Sequence, residues 1–172
     1  MIPADYLVKE TLRNGRVVTI RALHHEDRDA MLAAAGRLSA EAMALRFFAP
    51  KRGFTAREID YYVNVDFLGH VALVATLDGG RDAAIVGGGR YIVAAPGSAE
   101  VAFSVDDTVR GEGLAGLLLK HLAILARAAG LRQFVAEVLP TNAAMLKVFQ
   151  RSGLPMRRTH ADGVVHVTLS LA

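Results

Sequence analysis

The spacing of apolar residues changes twice along this chain, and each change marks a shift in the elements it predicts. Val17 to Ala22 is apolar and β-branched, which predicts a first strand. His25 to Leu38 then reads as a helix whose first turn carries Glu26 and Asp27, the acidic start a helix dipole favours. Ser39 is placed to cap a second short helix running to about Phe47. Thr55 and Glu58 have capping-box spacing and open a third helix through Tyr62.

Beyond these helices the pattern turns to strands. His70 to Leu77 is an apolar, β-rich run, Asp78-Gly79-Gly80 is turn chemistry, and Ala84 to Ala94 is its hairpin partner. Gly87-Gly88-Gly89 inside that partner predicts a bulge or a close backbone approach. Glu100 to Val105 is another strand. Leu114 to Ala128 is a long helix with Leu114, Leu117, Leu118, Leu122 and Leu125 on one face, and Gly130 sits at its C-terminal cap. Phe134 to Val138 follows as a strand, then a helix capped by Thr141 that runs to Arg151 and stops at Gly153. A closing hairpin, about Pro155 to His160 and Val164 to Leu171, turns at Asp162-Gly163. Such a mixture predicts one α/β domain spanning residues 1–172, with helices on both faces of a mixed sheet.

Composition narrows the picture further. With 172 residues, 52% hydrophobic and 22% charged, the chain can bury one core but not two. It has no cysteine, which excludes disulfides, thiolate metal sites and an acyl-cysteine intermediate. The six histidines form no metal-ligand spacing, so no metal is expected. A net charge of +3, dispersed along the chain, argues against nucleic acid, and no apolar run is long enough to span a membrane. The N-terminus lacks a secretory pattern, so a cytoplasmic location is expected.

The chemistry concentrates at residues 110–116, Arg-Gly-Glu-Gly-Leu-Ala-Gly. Residues 111–116 match the dinucleotide fingerprint G-x-G-x-x-G, and Glu137 stands near the place of a ribose-binding acid. That reading makes a nicotinamide or flavin enzyme the rival. Against it, five polar or mixed residues (106–110) separate the strand from the first glycine, and too little chain remains for further parallel strands. The same stretch also reads R-x-x-G-x-A, from Arg110, Gly113 and Ala115. Either way it is an anion site. Glycines let the backbone approach closely, and the unpaired N–H groups of a first helical turn point at the ligand.

The strand E-V-A-F-S-V, the loop D-D-T-V-R-G-E-G-L-A-G, the leucine-rich helix, the strand F-V-A-E-V and the segment L-P-T-N-A-A-M-L-K-V-F-Q-R-S-G-L together resemble the GNAT (GCN5-related N-acetyltransferase) superfamily over about residues 99–154. The resemblance implies a GNAT fold, a mixed and mostly antiparallel sheet of six to seven strands, with acetyl-CoA as cosubstrate. It implies that the backbone of Phe103, Ser104 and Val105 pairs with the pantetheine arm. The pyrophosphate then lies on Arg110, Gly111, Glu112, Gly113, Leu114, Ala115 and Gly116, and Asn142 contacts the arm. Asn142 also reads simply as a helix-start residue. Six strand residues from Glu100 to Val105 span on the order of 17–20 Å, which suits a long arm.

An amine acceptor must lose a proton before it attacks a thioester, and Glu100 is the candidate base. Val101, Phe103 and Val105 alternate onto one face of the strand; Glu100, Ala102 and Ser104 face the other way. Desolvation at such an opening can raise a carboxyl pKa toward neutrality, while the plainer reading is a solvated glutamate. The resemblance favours the base, because GNAT histone acetyltransferases place one ten residues before the R/Q of the loop, as Glu100 stands before Arg110. Leu38-Ser39-Ala40-Glu41 and Leu45-Arg46-Phe47-Phe48 resemble the L-S-x-E…L-R-F-F segment of bacterial protein-lysine acetyltransferases that act on acetyl-CoA synthetase. The acceptor this implies is a protein lysine; a small-molecule amine, or a CoA-sensing module without turnover, are the other readings, and a homodimer is compatible with each.

Where many GNAT enzymes carry a tyrosine as acid toward the thiolate, this chain has Phe149, read as packing. Tyr61, Tyr62 and Tyr91 are candidate acids in its place but read first as core or cleft wall, Asp106 and Asp107 as a solvated acidic turn, and His121 as packing or surface. Arg46 reads equally as cleft lining or as structure.

Overall fold

The structure is a computed structural model that describes residues 3–47, 54–78 and 84–172. Phe48 and the Gly79-Gly80 part of the first hairpin turn lie outside the described residues, as does the side chain of Phe47. The strands are β1 (Leu7–Thr11), β2 (Val17–Ala22), β3 (His70–Leu77), β4 (Ile85–Ala95), β5 (Ser98–Val105), β6 (Gln133–Val138), β7 (Met156–Ala161) and β8 (Val164–Ser170). The helices are α1 (Arg28–Gly36), α2 (Ala40–Phe47), α3 (Ala56–Val63), α4 (Leu114–Ala128) and α5 (Ala143–Gln150). One sheet runs in the order β1-β2-β3-β4-β5-β6-β8-β7, antiparallel at every pair except β5 and β6.

The sheet therefore has eight strands, against the six to seven expected. The strand that sequence missed is β1, which pairs from Leu7↔Arg21 to Thr11↔Val17 and has no fully buried residue. The first helix is also shorter than its pattern. Residues His25–Asp27 form a 3-10 turn, because Asp27 is held from two sides. Its carboxylate accepts from the His24 backbone N–H at 2.8 Å and takes a two-pronged contact from Arg21 at 2.7 and 2.9 Å. The α-helix starts only at Arg28 and ends at Gly36.

Other local signals hold. Ser39 Oγ accepts from Ala42 N at 3.1 Å. Thr55 and Glu58 exchange side-chain-to-backbone bonds, both at 3.1 Å, as a capping box requires. Helix α4 has the bounds its leucine spacing predicts, and it closes with Leu131 N donating to Ala126 O at 2.9 Å. Asp162 and Gly163, with φ of 55° and 74°, make the I′-type turn of the last hairpin.

Helices cover both faces. Leu114, Leu118, Leu122 and Leu125 of α4 are buried with Tyr91, Val101, Phe103 and Phe134 on one side. Ala30, Met31 and Ala34 of α1 pack on Leu23, Ala72, Val74 and Ile85 on the other. The glycine run of β4 has both predicted properties. The β3–β4 register shifts at Ala75/Thr76, beside Gly87. A Cβ at Gly89 would lie 2.8 Å from Phe103 Cδ1, so the side chain of β5 occupies the space that β4 vacates.

Candidate active site

Strands β5 and β6 run parallel but stay paired for only three positions, Ser98↔Gln133, Ala99↔Phe134 and Glu100↔Val135. After Glu100 they part. Strand β5 continues to Val105 bonded to β4 alone, and β6 turns away toward β8. Among the described residues, the β6-facing edge of β5 is thus left with unpaired backbone groups, in the interior of a sheet where such groups are ordinarily satisfied. A cleft of about 1260 Å³ opens in this gap, walled by β5, the loop before α4, the end of β6 and the start of α5. Glu100 stands at its apex with an exposed side chain, so the protein alone does not desolvate it. Ala102 and Ser104 share its face and are part-buried, while Val101 and Phe103 are buried beneath, the alternation that the sequence predicts.

At the far end of the cleft lies the glycine-rich loop. Gly111 and Gly113 have φ of 80° and 90°, left-handed values that a side chain would strain by about 1–2 kcal/mol. Gly113 is the N-cap of α4. Among the described residues, nothing accepts from the backbone N–H groups of Gly111, Gly113, Leu114, Ala115 or Gly116. Five donors converging at a helix start, with the positive end of the dipole behind them, form an anion cradle. Arg110, however, turns its guanidinium back onto Asp107 at 2.6 Å. The guanidinium that lies along the loop belongs to Arg13, a residue that no motif or spacing singles out. Arg13 donates from Nη1 to Gly111 O at 3.2 Å and from its backbone N to Glu112 O at 3.1 Å. Lys120 and Lys147 add positive charge along the same wall.

The cleft's other side chains fall into place around these two ends. Asn142, not Thr141, caps α5: its Oδ1 accepts from Met145 N at 3.2 Å, and the residue lines the cleft. Phe149 is buried against Phe103, with ring centroids 6.2 Å apart, and Tyr91 is a core residue. Asp106 is not solvated as expected. It is buried, caps the turn at Thr108 N (3.0 Å) and pairs with Arg37 at 3.0 Å; the Thr108 bonds first, and Arg37 after them, hold its carboxyl below the usual range. Asp107 is exposed. His121 is buried, with Nδ1 2.5 Å from Tyr6 Oη.

On the Glu100 face of the sheet, Arg46 of α2 lines the cleft, and Tyr61 and Tyr62 of α3 lie against His70 of β3 and Arg90 of β4. Arg90 of β4 donates through Nη1 to Tyr62 O at 3.0 Å and to His70 Nε2 at 2.8 Å, and lies 4.8 Å from the centroid of the Tyr62 ring. Burial, followed by the Arg90 charge, pushes the His70 pKa down to about 4. A base whose pKa is depressed on folding binds fewer protons folded than unfolded, so it favours the fold above pH 6.5 and that advantage fades as pH falls toward 4. The melting temperature is expected to drop across this window. His70→Gln, which keeps an acceptor for Arg90, is expected to flatten the drop; an unchanged pH slope in the variant would rule His70 out as its source.

Sheet order, the split between β5 and β6 and the free N–H groups at the start of α4 define an acyltransferase-type fold. Comparison with known proteins agrees. The model of the Acetyltransferase (GNAT) family matches residues 41–154. The chain is 31% identical over 168 residues to acetyltransferase PA5475 of Pseudomonas aeruginosa, covering 96% of this chain and 90% of that one. It is 28% identical over 144 residues to acetyltransferase Pat of Mycolicibacterium smegmatis, covering 83% of this chain but only 42% of that longer relative. The crystal structure of the GNAT domain of S. lividans PAT superposes with a TM-score of 0.87 at 34% identity, over 95% of this chain and 96% of that one. The chain belongs to the GNAT acetyltransferase family, and it is an N-acetyltransferase.

Proposed function

We propose that this domain transfers an acetyl group from acetyl-CoA directly to a primary amine, the side chain of a protein lysine, with Glu100 as general base. The observation that carries the proposal is the position of Glu100, at the last β5–β6 pair, where the sheet opens toward the anion cradle. The residues present suit acetyl-CoA: five free N–H groups and Arg13 for the pyrophosphate, the open edge of β5 at Phe103 to Val105 for the pantetheine amides, and Asn142 for the arm between them. When bound there, acetyl-CoA supplies the activated acetyl thioester.

The protein's part is to place and deprotonate the amine. A lysine of pKa about 10.4 arrives as an ammonium, and freeing its lone pair at pH 7 costs roughly 4–5 kcal/mol. The Glu100 carboxylate takes that proton, directly or through one water, and the nitrogen then forms the new amide bond as the carbon–sulfur bond breaks. Phe149 offers no proton, so the departing thiolate is protonated by water. A thiol of pKa near 8.5 leaves readily enough for this. The choice of a protein lysine rests on the likeness of residues 38–48 to the protein-lysine acetyltransferases.

Calorimetry and thermal shift test the cofactor half of the proposal. Acetyl-CoA is expected to stabilise the protein and NAD to have no effect; the reverse result would return the loop to the dinucleotide reading. Arg13→Ala is expected to weaken acetyl-CoA binding about 10-fold, as loss of one charge-assisted contact implies, with the melting temperature of the free protein little changed. Unaltered affinity in that variant would remove Arg13 from the site.

A further inference from the structure

Beside the main cleft, on the Glu100 face, lies a smaller pocket of about 120 Å³ between α1, α2, α3 and the strands β4 and β5. It shares Leu38, Arg46, Ala102, Phe103 and Ser104 with the cleft, so the two adjoin. Its walls are mostly apolar, and Arg90 is set into them.

Arg90 is held in an unusual way. A guanidinium has five N–H donors in a rigid fork. Both hydrogens of Nη1 are used, one on Tyr62 O and one on His70 Nε2, and the Tyr62 ring supports the plane. His70 is neutral at pH 7 and acts there only as an acceptor. Among the described residues, no acceptor meets Nε or Nη2, and no carboxylate pairs with Arg90. The fold has anchored one corner of the fork and left its bidentate edge open. Burial and the neighbouring Arg46 charge lower its pKa to about 10, so it stays charged at neutral pH.

Register fixes where Arg90 leaves the sheet relative to Glu100, while its Nη1 leans toward His70 of β3. Arg90 pairs with Ala102 and Ile92 with Glu100, and partners across an antiparallel ladder share a face. Arg90 and Glu100 are therefore diagonal neighbours on one face, with Cβ atoms roughly 7 Å apart. A buried guanidinium with no carboxylate partner among the described residues, on the face from which the acceptor approaches, leaves a positive charge that the acceptor itself can balance.

We propose that the acceptor carries a carboxylate close to its amine, and that the open Nε/Nη2 edge of Arg90 seats this carboxylate while Glu100 handles the amine. This deepens the reading above and rests on it, since it takes the Glu100 face as the acceptor side. A planar carboxylate matches the fork as a point-like anion does not. The pre-anchored Nη1 means that little side-chain freedom is lost on binding. The chemistry is the same whether the carboxylate belongs to an acidic residue beside a target lysine or to a free amino acid.

Matched acceptors test it. L-lysine is paired with cadaverine, its decarboxylated counterpart, and a lysine peptide with an adjacent glutamate is paired with the same peptide bearing glutamine. Each is titrated by calorimetry into the CoA-loaded protein, and each is assayed for acetylation. The carboxylate-bearing member of at least one pair is expected to bind about 10-fold more tightly and to show the gain in KM more than in kcat. The pair that discriminates identifies the source of the carboxylate. Arg90→Lys keeps the charge but not the fork, and Arg90→Gln keeps neither; both are expected to reduce the preference below about 2-fold with CoA affinity unchanged. Equal binding within both pairs by the wild-type protein overturns the proposal, whether or not the variants fold, and so does a preference that survives in Arg90→Gln. Turnover of all acceptors without preference removes only the carboxylate seat. CoA binding with no turnover of any acceptor sinks the transferase reading, and the calorimetric comparison still decides the seat.

Discussion

Glu100→Gln is expected to lower kcat for amine acetylation by about 10²–10⁴-fold at pH 7, while acetyl-CoA still binds with wild-type affinity. Glutamine matches glutamate in shape and keeps a hydrogen-bonding tip, but it cannot take a proton. The side chain is exposed at the mouth of the β5–β6 gap, so the change leaves stability within about 0.5 kcal/mol. The defect also has a pH signature. As pH rises toward 10 a growing fraction of the lysine acceptor is already neutral, so the variant is expected to approach the wild type. Single-turnover rates measured from pH 7 to 10 check both points. A variant within 3-fold of wild type at pH 7 would mean that another group, or water alone, removes the proton.

Phe134→Ala is expected to be the most damaging change to the fold. Phe134 has no exposed surface, and its ring lies 5.7 Å from that of Tyr91, itself buried. It also occupies the middle of the three positions at which β5 and β6 are joined. Truncating a buried phenylalanine costs roughly 3–5 kcal/mol, from lost transfer energy and the cavity left behind. For a domain of this size that is about 6–20 °C in melting temperature. Calorimetric or circular-dichroism melting measures it. A fall of under 3 °C would mean that the neighbouring strands close over the cavity.

Much of this architecture can be read from local sequence, and the exceptions share a cause. Helix α4 and strand β3 match their patterns residue for residue because each is long, strongly apolar and bounded by turn chemistry. Glu100 and the glycine loop are likewise local: a strand, a turn and a helix start, consecutive in the chain. Strand β1 escaped because Leu-Val-Lys-Glu-Thr has no buried face; as an edge strand it is held by its ladder to β2, not by core packing. The first helix was set back by Arg21, which engages Asp27 from the neighbouring strand and diverts the expected start. Asp106 looked solvated because Arg37, its partner, lies 69 residues away. Arg13 meets Gly111 across 98 residues of sequence. Spacing within a segment carries no information about partners brought together only by the sheet.

The short seam between β5 and β6 has a mechanical consequence. Three residue pairs join a ribbon of five strands to a ribbon of three, and beyond that seam nothing in the sheet bridges them. A ligand whose amides lie along β5 in the gap acts as a short strand of its own, adding hydrogen bonds where the sheet lacks them. Such a ligand would extend the five-stranded ribbon into the gap. Under the proposed function, the flaw in the sheet and the seat of acetyl-CoA would be the same feature.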